Sequence, residues 1–122
     1  YFNQFYVYQS ERFPISVINN TGETELFASE RLTFGSLGAI SSATAISNAI
    51  QRILVCLFNF KCVIYIDDLI IIDTSPDALK LKMEIAMLLF EKLHLKVNLK
   101  KCVVCEVNSS IEVLGFIFSI FN

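Results

Sequence analysis

Asp67 and Asp68 stand side by side between two apolar runs, and this arrangement constrains the fold more than any other part of the chain. Cys62-Val63-Ile64-Tyr65-Ile66 precedes the pair and Leu69-Ile70-Ile71-Ile72 follows it. Short apolar runs around a tight polar pair predict two strands joined by a turn. Aspartate suits a turn for an ordinary reason, because it tolerates turn geometry and bonds its own backbone. Adjacent carboxylates at the tip of a buried hairpin also carry a desolvation and repulsion cost that a cation relieves. Mg²⁺ takes oxygen ligands and leaves coordination positions for substrate phosphates. The pair alone therefore reads either as a solvated turn or as a metal site for phosphoryl chemistry.

A chain of 122 residues makes one domain or a piece of one, long enough to bury a core. Its apolar share is 54 %, with 11 Phe, above the roughly 45–50 % of an ordinary soluble domain. The surplus fits a strongly buried sheet or a fragment parted from its packing partners, and the second is favoured. No uninterrupted apolar run reaches the roughly 18–20 residues of a membrane span, so no membrane association is expected. The net charge of −2 supplies no global field to attract nucleic acid. The basic residues are nevertheless clustered: Lys92, Lys96, Lys100 and Lys101 fall close together. The amino end lacks the basic start and apolar block of a secretory signal. Cys56, Cys62, Cys102 and Cys105 then read as free thiols in a reducing compartment, cytoplasm or nucleus. Cys102 and Cys105 have zinc-knuckle spacing without a second pair to complete a site. Asn19-Asn20-Thr21 and Asn108-Ser109-Ser110 match the glycosylation pattern, by chance if the chain is cytosolic.

Patterning predicts strands over Gln4–Tyr8 and Phe13–Ile18, a turn at Asn19-Asn20-Thr21-Gly22, and a return strand over Glu23–Ala28. A glycine-containing loop, Phe34 to Gly38, leads into a helix over Ala39–Phe58, with Ser41 or Ser42 as cap. Its apolar stripe is Ala39, Ala43, Ile46, Ile50, Ile53, Leu54 and Leu57. The Asp-Asp hairpin follows. Ser75-Pro76-Asp77 then marks a helix start, with Leu79, Met83, Ala86, Met87, Phe90 and Leu93 as a core stripe. Strands are expected at Val97–Leu99, Lys101–Val107 and Ile111–Phe118. The class is α+β, with an antiparallel sheet packed on two helices.

The ordered blocks resemble the palm of reverse transcriptases from retroelements, over nearly the whole chain. Asn3-Gln4-Phe5-Tyr6-Val7 is similar to the stretch that follows the family's first catalytic aspartate. Phe34-Gly35 with Ala39 resembles the loop before the palm helix, and Tyr65-Ile66-Asp67-Asp68 matches the Tyr/Phe-x-Asp-Asp signature. Leu95-Lys96-Val97-Asn98-Leu99-Lys100-Lys101-Cys102 is similar to the family's late basic block. Ile111-Glu112-Val113-Leu114-Gly115-Phe116 looks like its primer-grip strand. The last pattern leans towards gypsy-like or tyrosine-recombinase retrotransposons.

The resemblance implies an RNA-directed DNA polymerase using two Mg²⁺ ions, or Mn²⁺ in their place, held by three aspartates. Asp67 and Asp68 would be catalytic metal ligands, Asp67 the more direct. Phe2 (or Tyr1 by a one-residue shift), Phe34 and Gly35 would line the nucleotide site, Phe2 excluding a ribose 2′-hydroxyl. Tyr65, Lys96, Lys101, Leu114 and Gly115 would meet primer or template. The partners of the full-length enzyme would be an RNA or DNA template with primer, dNTP, and the fingers, thumb and ribonuclease H domains of a polyprotein. Residues 1–122 are expected to form one palm fragment, beginning just after the first catalytic Asp, ending at the primer-grip strand, and lacking most of fingers and thumb. Such a fragment is expected to be inactive alone.

Each assignment has a plainer counterpart. Phe2 reads equally as a terminal aromatic, Gly35 as a turn glycine, and Gly115 as a bulge. Lys96 and Lys101 read as a solvated edge, and Arg31 and Arg52 as surface ion-pairing groups. Ile40, Ala43 and His94 depart from the family's Pro, aromatic and Gly at those places. They keep open a non-catalytic relic or interaction fragment with a palm-like fold, and an unrelated α+β binding domain.

Overall fold

A computed structural model of the chain describes residues 2–8, 12, 14–33, 35–36 and 38–121. The element order is β1 (Pro14–Ile18), β2 (Thr24–Ala28), α1 (Ala39–Phe58), β3 (Lys61–Tyr65), β4 (Asp68–Ile72), α2 (Pro76–Lys92), β5 (Ser110–Val113) and β6 (Phe116–Ser119). Among the described residues the strands pair with their sequence neighbours, as three antiparallel hairpins, β1-β2, β3-β4 and β5-β6. The α+β reading therefore stands, with the antiparallel sheet divided among these hairpins.

Local chemistry accounts for the elements that match expectation. Between β1 and β2 the Asn19 Oδ1 accepts the backbone N–H groups of Thr21 and Glu23, each at 3.0 Å, and Gly22 takes a φ of 85°. This gathers the turn's donors onto one side chain. Helix α2 starts at Ser75, whose Oγ accepts the Ala78 N–H, with Pro76 next to the cap and Asp77 in the first turn. These features satisfy an orphan donor and complement the helix dipole. Helix α1 begins one turn earlier than a serine cap would place it. Its cap is Gly38, in the left-handed conformation, so Ser41 and Ser42 lie inside the helix. It ends at left-handed Asn59, and the Phe60 N–H closes on the Leu54 carbonyl at 3.0 Å.

The core lies where α1 and α2 cover one face of the β3-β4 hairpin. Ile50, Leu54, Phe60 and Ala86 form its buried centre, and Leu54 is 0 % exposed. Cys62 and Ile64 of β3, with Leu69 and Ile71 of β4, pack on that centre. By length and average hydropathy α1 would also suffice to cross a membrane. Its buried residues Ala39, Ala43, Ser47, Ile50 and Leu54 recur at helical spacing and its main packing partner is β3, so one face of the helix is covered while 22 % of the span is buried overall. Leu57, expected in the stripe, is exposed. Met83 and Met87, also expected in the core, are half-buried and line an open groove with Lys80, Glu84, Leu88 and Glu91.

Four expected strands are corrected: Gln4–Tyr8, Val97–Leu99, Lys101–Val107 and Ile111–Phe118. Phe2–Gln4 is a short 3-10 helix, followed by a single antiparallel bridge between Tyr6 and Arg31. Val97–Leu99 and Lys101–Val107 are not strands: a 3-10 turn covers Leu99–Lys101, capped by the Asn98 side chain on the Lys100 N–H at 3.2 Å. The valines at 103, 104 and 107 are exposed. β-Propensity makes a strand only where a partner edge takes up the backbone groups, and among the described residues none pairs with these segments. The expected strand Ile111–Phe118 folds back on itself. Val113 pairs with Phe116, leaving Leu114-Gly115 as a two-residue turn with φ of 52° and 80°. Positive φ at both positions is the hairpin turn that matches strand twist. Leu114 concealed it, since Asn or Asp is the usual signal. Much apolar surface is left open: Leu26, Ile117 and Phe121 are 78 %, 75 % and 82 % exposed, as on surfaces that meet partners.

Candidate functional site

The hairpin predicted around the Asp pair forms with a two-residue turn. Tyr65 pairs with Asp68 across it, and Ile66-Asp67 makes the bend. Cys62, Ile64, Leu69 and Ile71 face the helices. Side chains alternate along a strand, so Tyr65 and Asp68 share the opposite, open face with Val63 and Ile70. Tyr65, Asp67 and Asp68 are all exposed. Neither carboxylate forms a hydrogen bond or ion pair with the other described residues, in contrast to Asp73, which is engaged by Lys82 at 2.5 Å.

The turn is held in an uncommon conformation. Ile66 has φ 56°, a region that a β-branched residue enters only at a steric cost of about 1–3 kcal/mol. Helix α1 supplies the contacts that hold it. The Ser47 Oγ donates to the Ile66 carbonyl at 2.9 Å, and the Gln51 Oε1 accepts the Ile64 N–H at 2.9 Å. Ser47 is 2 % exposed, the one buried polar side chain among the described residues. Ser47 and Gln51 are one helical turn apart and so share a face of α1. Neither was marked by sequence reasoning. The available signal was polar residues on the apolar stripe of a core helix.

The other candidates are distributed over the molecule. Gly35, with φ 83°, lines a shallow groove with Gly38, Ile40, Ser41, Thr44 and Asn48 along the first turns of α1. Phe34 lies outside the described residues. Phe2 sits in the amino-terminal 3-10 turn. The next residue but one in the chain, Gln4, grips the late basic block: its Oε1 accepts the Lys96 N–H at 2.7 Å and its Nε2 donates to the Lys96 carbonyl at 3.3 Å. This brings together two blocks 92 residues apart. The Lys96 and Lys101 side chains are exposed, and neither forms an ion pair with a described residue. Leu114 and Gly115 occupy the β5-β6 turn. Arg31 is not free for a template: its guanidinium lies 3.6 Å from the Tyr6 ring centroid and donates to the Tyr6 hydroxyl at 2.6 Å.

Two unpaired, accessible carboxylates next to each other fit Mg²⁺, which is commonly bound by one or two carboxylates, with water and substrate phosphates completing the shell. Among the described residues no group of three or more His, Cys, Asp or Glu side chains is placed to hold a metal. The pair therefore offers a partial, open site.

Residues 1–118 match the family model described as reverse transcriptase (RNA-dependent DNA polymerase). Neither the curated proteins nor the solved structures contain a match to the chain.

Proposed function

The chain belongs to the reverse transcriptase family, and from that premise we propose that it is palm sequence of an RNA-directed DNA polymerase whose Asp67 and Asp68 hold Mg²⁺ for nucleotidyl transfer. The observation that carries this reading is the hairpin tip, where adjacent carboxylates stand accessible, unpaired and aimed by a strained turn. An ion held there would lower the pKa of a primer 3′-hydroxyl and neutralise the leaving pyrophosphate. The protein's own part is to present the carboxylates on a rigid β-turn, with Tyr65 and the exposed Lys96 and Lys101 as groups suited to primer and template backbone. Phe2, Phe34 and Gly35 are proposed for the nucleotide, and Leu114-Gly115 for the primer. The Ile111–Phe116 pattern favours a gypsy-like or tyrosine-recombinase retrotransposon as the source.

The two-carboxylate donor set also supports a negative proposal: this chain alone binds Mg²⁺ weakly and does not extend a primer. The test is a Mn²⁺ titration followed by NMR line broadening at the Asp67 and Asp68 amides, alongside Mg²⁺ calorimetry. Weak binding that disappears in Asp67→Asn is expected. Sub-micromolar affinity, or broadening that Asp67→Asn leaves intact, would overturn the assignment. Metal-dependent nucleotide incorporation by this chain would overturn the proposed inactivity. An interaction role without catalysis is the second reading, favoured by the extent of exposed apolar surface. A monodisperse monomer that binds nothing would count against it.

A further inference from the structure

We propose that Ser47 is a positioning residue for the Asp67-Asp68 pair, acting by holding the Ile66 carbonyl and so fixing the left-handed bend that aims both carboxylates. The proposal rests on the reading of the pair as metal ligands, and it adds a residue from a distant part of the chain. Three observations carry it. Ser47 is buried to 2 % exposure in the middle of α1, where an apolar residue would be the ordinary choice. Its hydroxyl donates to the carbonyl of Ile66, the residue directly before Asp67, at 2.9 Å. Ile66 is β-branched with φ 56°, a conformation that persists only when its surroundings over-determine it. The bond is partly buried and opposes relaxation of a strained residue, so the turn has reason to rotate when the hydroxyl is removed. The peptide unit that would rotate joins Ile66 to Asp67.

Gln51 supplies an internal comparison. It lies one turn further along the same helix face and holds β3 through the Ile64 N–H. Gln51 thus anchors the strand, and Ser47 anchors the bend. Loss of Gln51 should loosen β3 without redirecting the carboxylates.

The experiment compares Ser47→Thr with Ser47→Val in the isotopically labelled chain. The two side chains have the same shape, so their difference isolates the hydroxyl. The first readout is the backbone conformation of Ile66, from its Cα and Cβ shifts and its amide coupling, with the Asp67 and Asp68 amide shifts. The second is Mn²⁺ affinity at the pair. Ser47→Thr should keep the native signals. Ser47→Val should move those of residues 66–68 and weaken Mn²⁺ about two- to tenfold, the range one lost hydrogen bond can transmit. Gln51→Leu should lower thermal stability and leave Ile66 unchanged. If the valine variant does not fold, Ser47→Ala deletes the hydroxyl with less volume change and is read in the same way. Identical residue 66–68 signals in the Thr and Val variants would overturn the proposal. So would an equal disturbance of Ile66 by Gln51→Leu. If Ser47→Val redirects the turn while the native chain shows no Asp67-dependent Mn²⁺ broadening, the metal reading fails and the control of the turn by Ser47 stands.

Discussion

Leu54→Ala should remove a large part of the stability of this chain, while Leu57→Ala, one turn away on the same helix, should remove almost none. Leu54 is fully buried between α1, Phe60 and the β3-β4 hairpin, whereas Leu57 is 75 % exposed. Truncating Leu54 forfeits the transfer free energy of its outer carbons, about 2 kcal/mol at roughly 0.8 kcal/mol per buried methylene. A residual cavity adds to this, giving about 3 kcal/mol in total, within the usual range for buried leucine. Domains of this size have only about 5–15 kcal/mol in hand, and the buried centre here comprises Ile50, Leu54, Phe60 and Ala86. With a urea slope of about 2 kcal/mol/M, the Leu54→Ala midpoint should fall by about 1.5 M. Leu57→Ala should stay within about 0.5 kcal/mol of the parent. Far-UV circular dichroism across a urea series measures both. A Leu54→Ala cost below about 1 kcal/mol, or equal costs for both variants, would refute the placement of the core on this face of α1.

Acid sensitivity should trace in part to Asp73. Its carboxyl is held below the usual range, first by the Lys82 hydrogen bond and then by the Ser75 amide. Because the folded value is depressed, the contribution is present above the unfolded pKa of about 3.9 and is lost as pH falls through the lower folded value. Melting temperatures recorded through that acid window should therefore decline less steeply in Asp73→Asn, and an unchanged slope would count against the pairing. Leu114→Asn should stabilise the β5-β6 hairpin by about 1 kcal/mol, the order of the left-handed penalty that asparagine largely avoids. Slower amide exchange at Ile111 and Phe118 would report it, whereas faster exchange would mean that Leu114 makes contacts worth more than its strain.

Legibility in the sequence followed the range of the interactions. Ser75-Pro76-Asp77 located the start of α2, and the Asn19–Gly22 turn located the first hairpin, because caps and turns are settled within a few residues. Leu114-Gly115 was read as strand because its turn rests on backbone angles that leucine does not advertise. The Met83 and Met87 stripe was read as core because periodicity shows which residues share a face, not whether another element covers that face.

What the amino-acid sequence determined by itself was the set of local elements and the adjacency of the candidate ligands. Asp67 and Asp68 are neighbours in any conformation, and the apolar runs on either side commit them to a hairpin tip. What only the tertiary structure decided was which β-prone segments found partners and what holds the tip in place. Residues 97–107 carry strand-like side chains but pair with no strand edge among the described residues, so their backbone groups take other arrangements. The bend beside the Asp pair is held by Ser47 and the strand leading to it by Gln51, respectively 19 and 13 residues from their hydrogen-bond partners. Such contacts depend on how α1 docks against β3. That docking is set by apolar burial, which fixes a face and a depth for every polar side chain carried along with it.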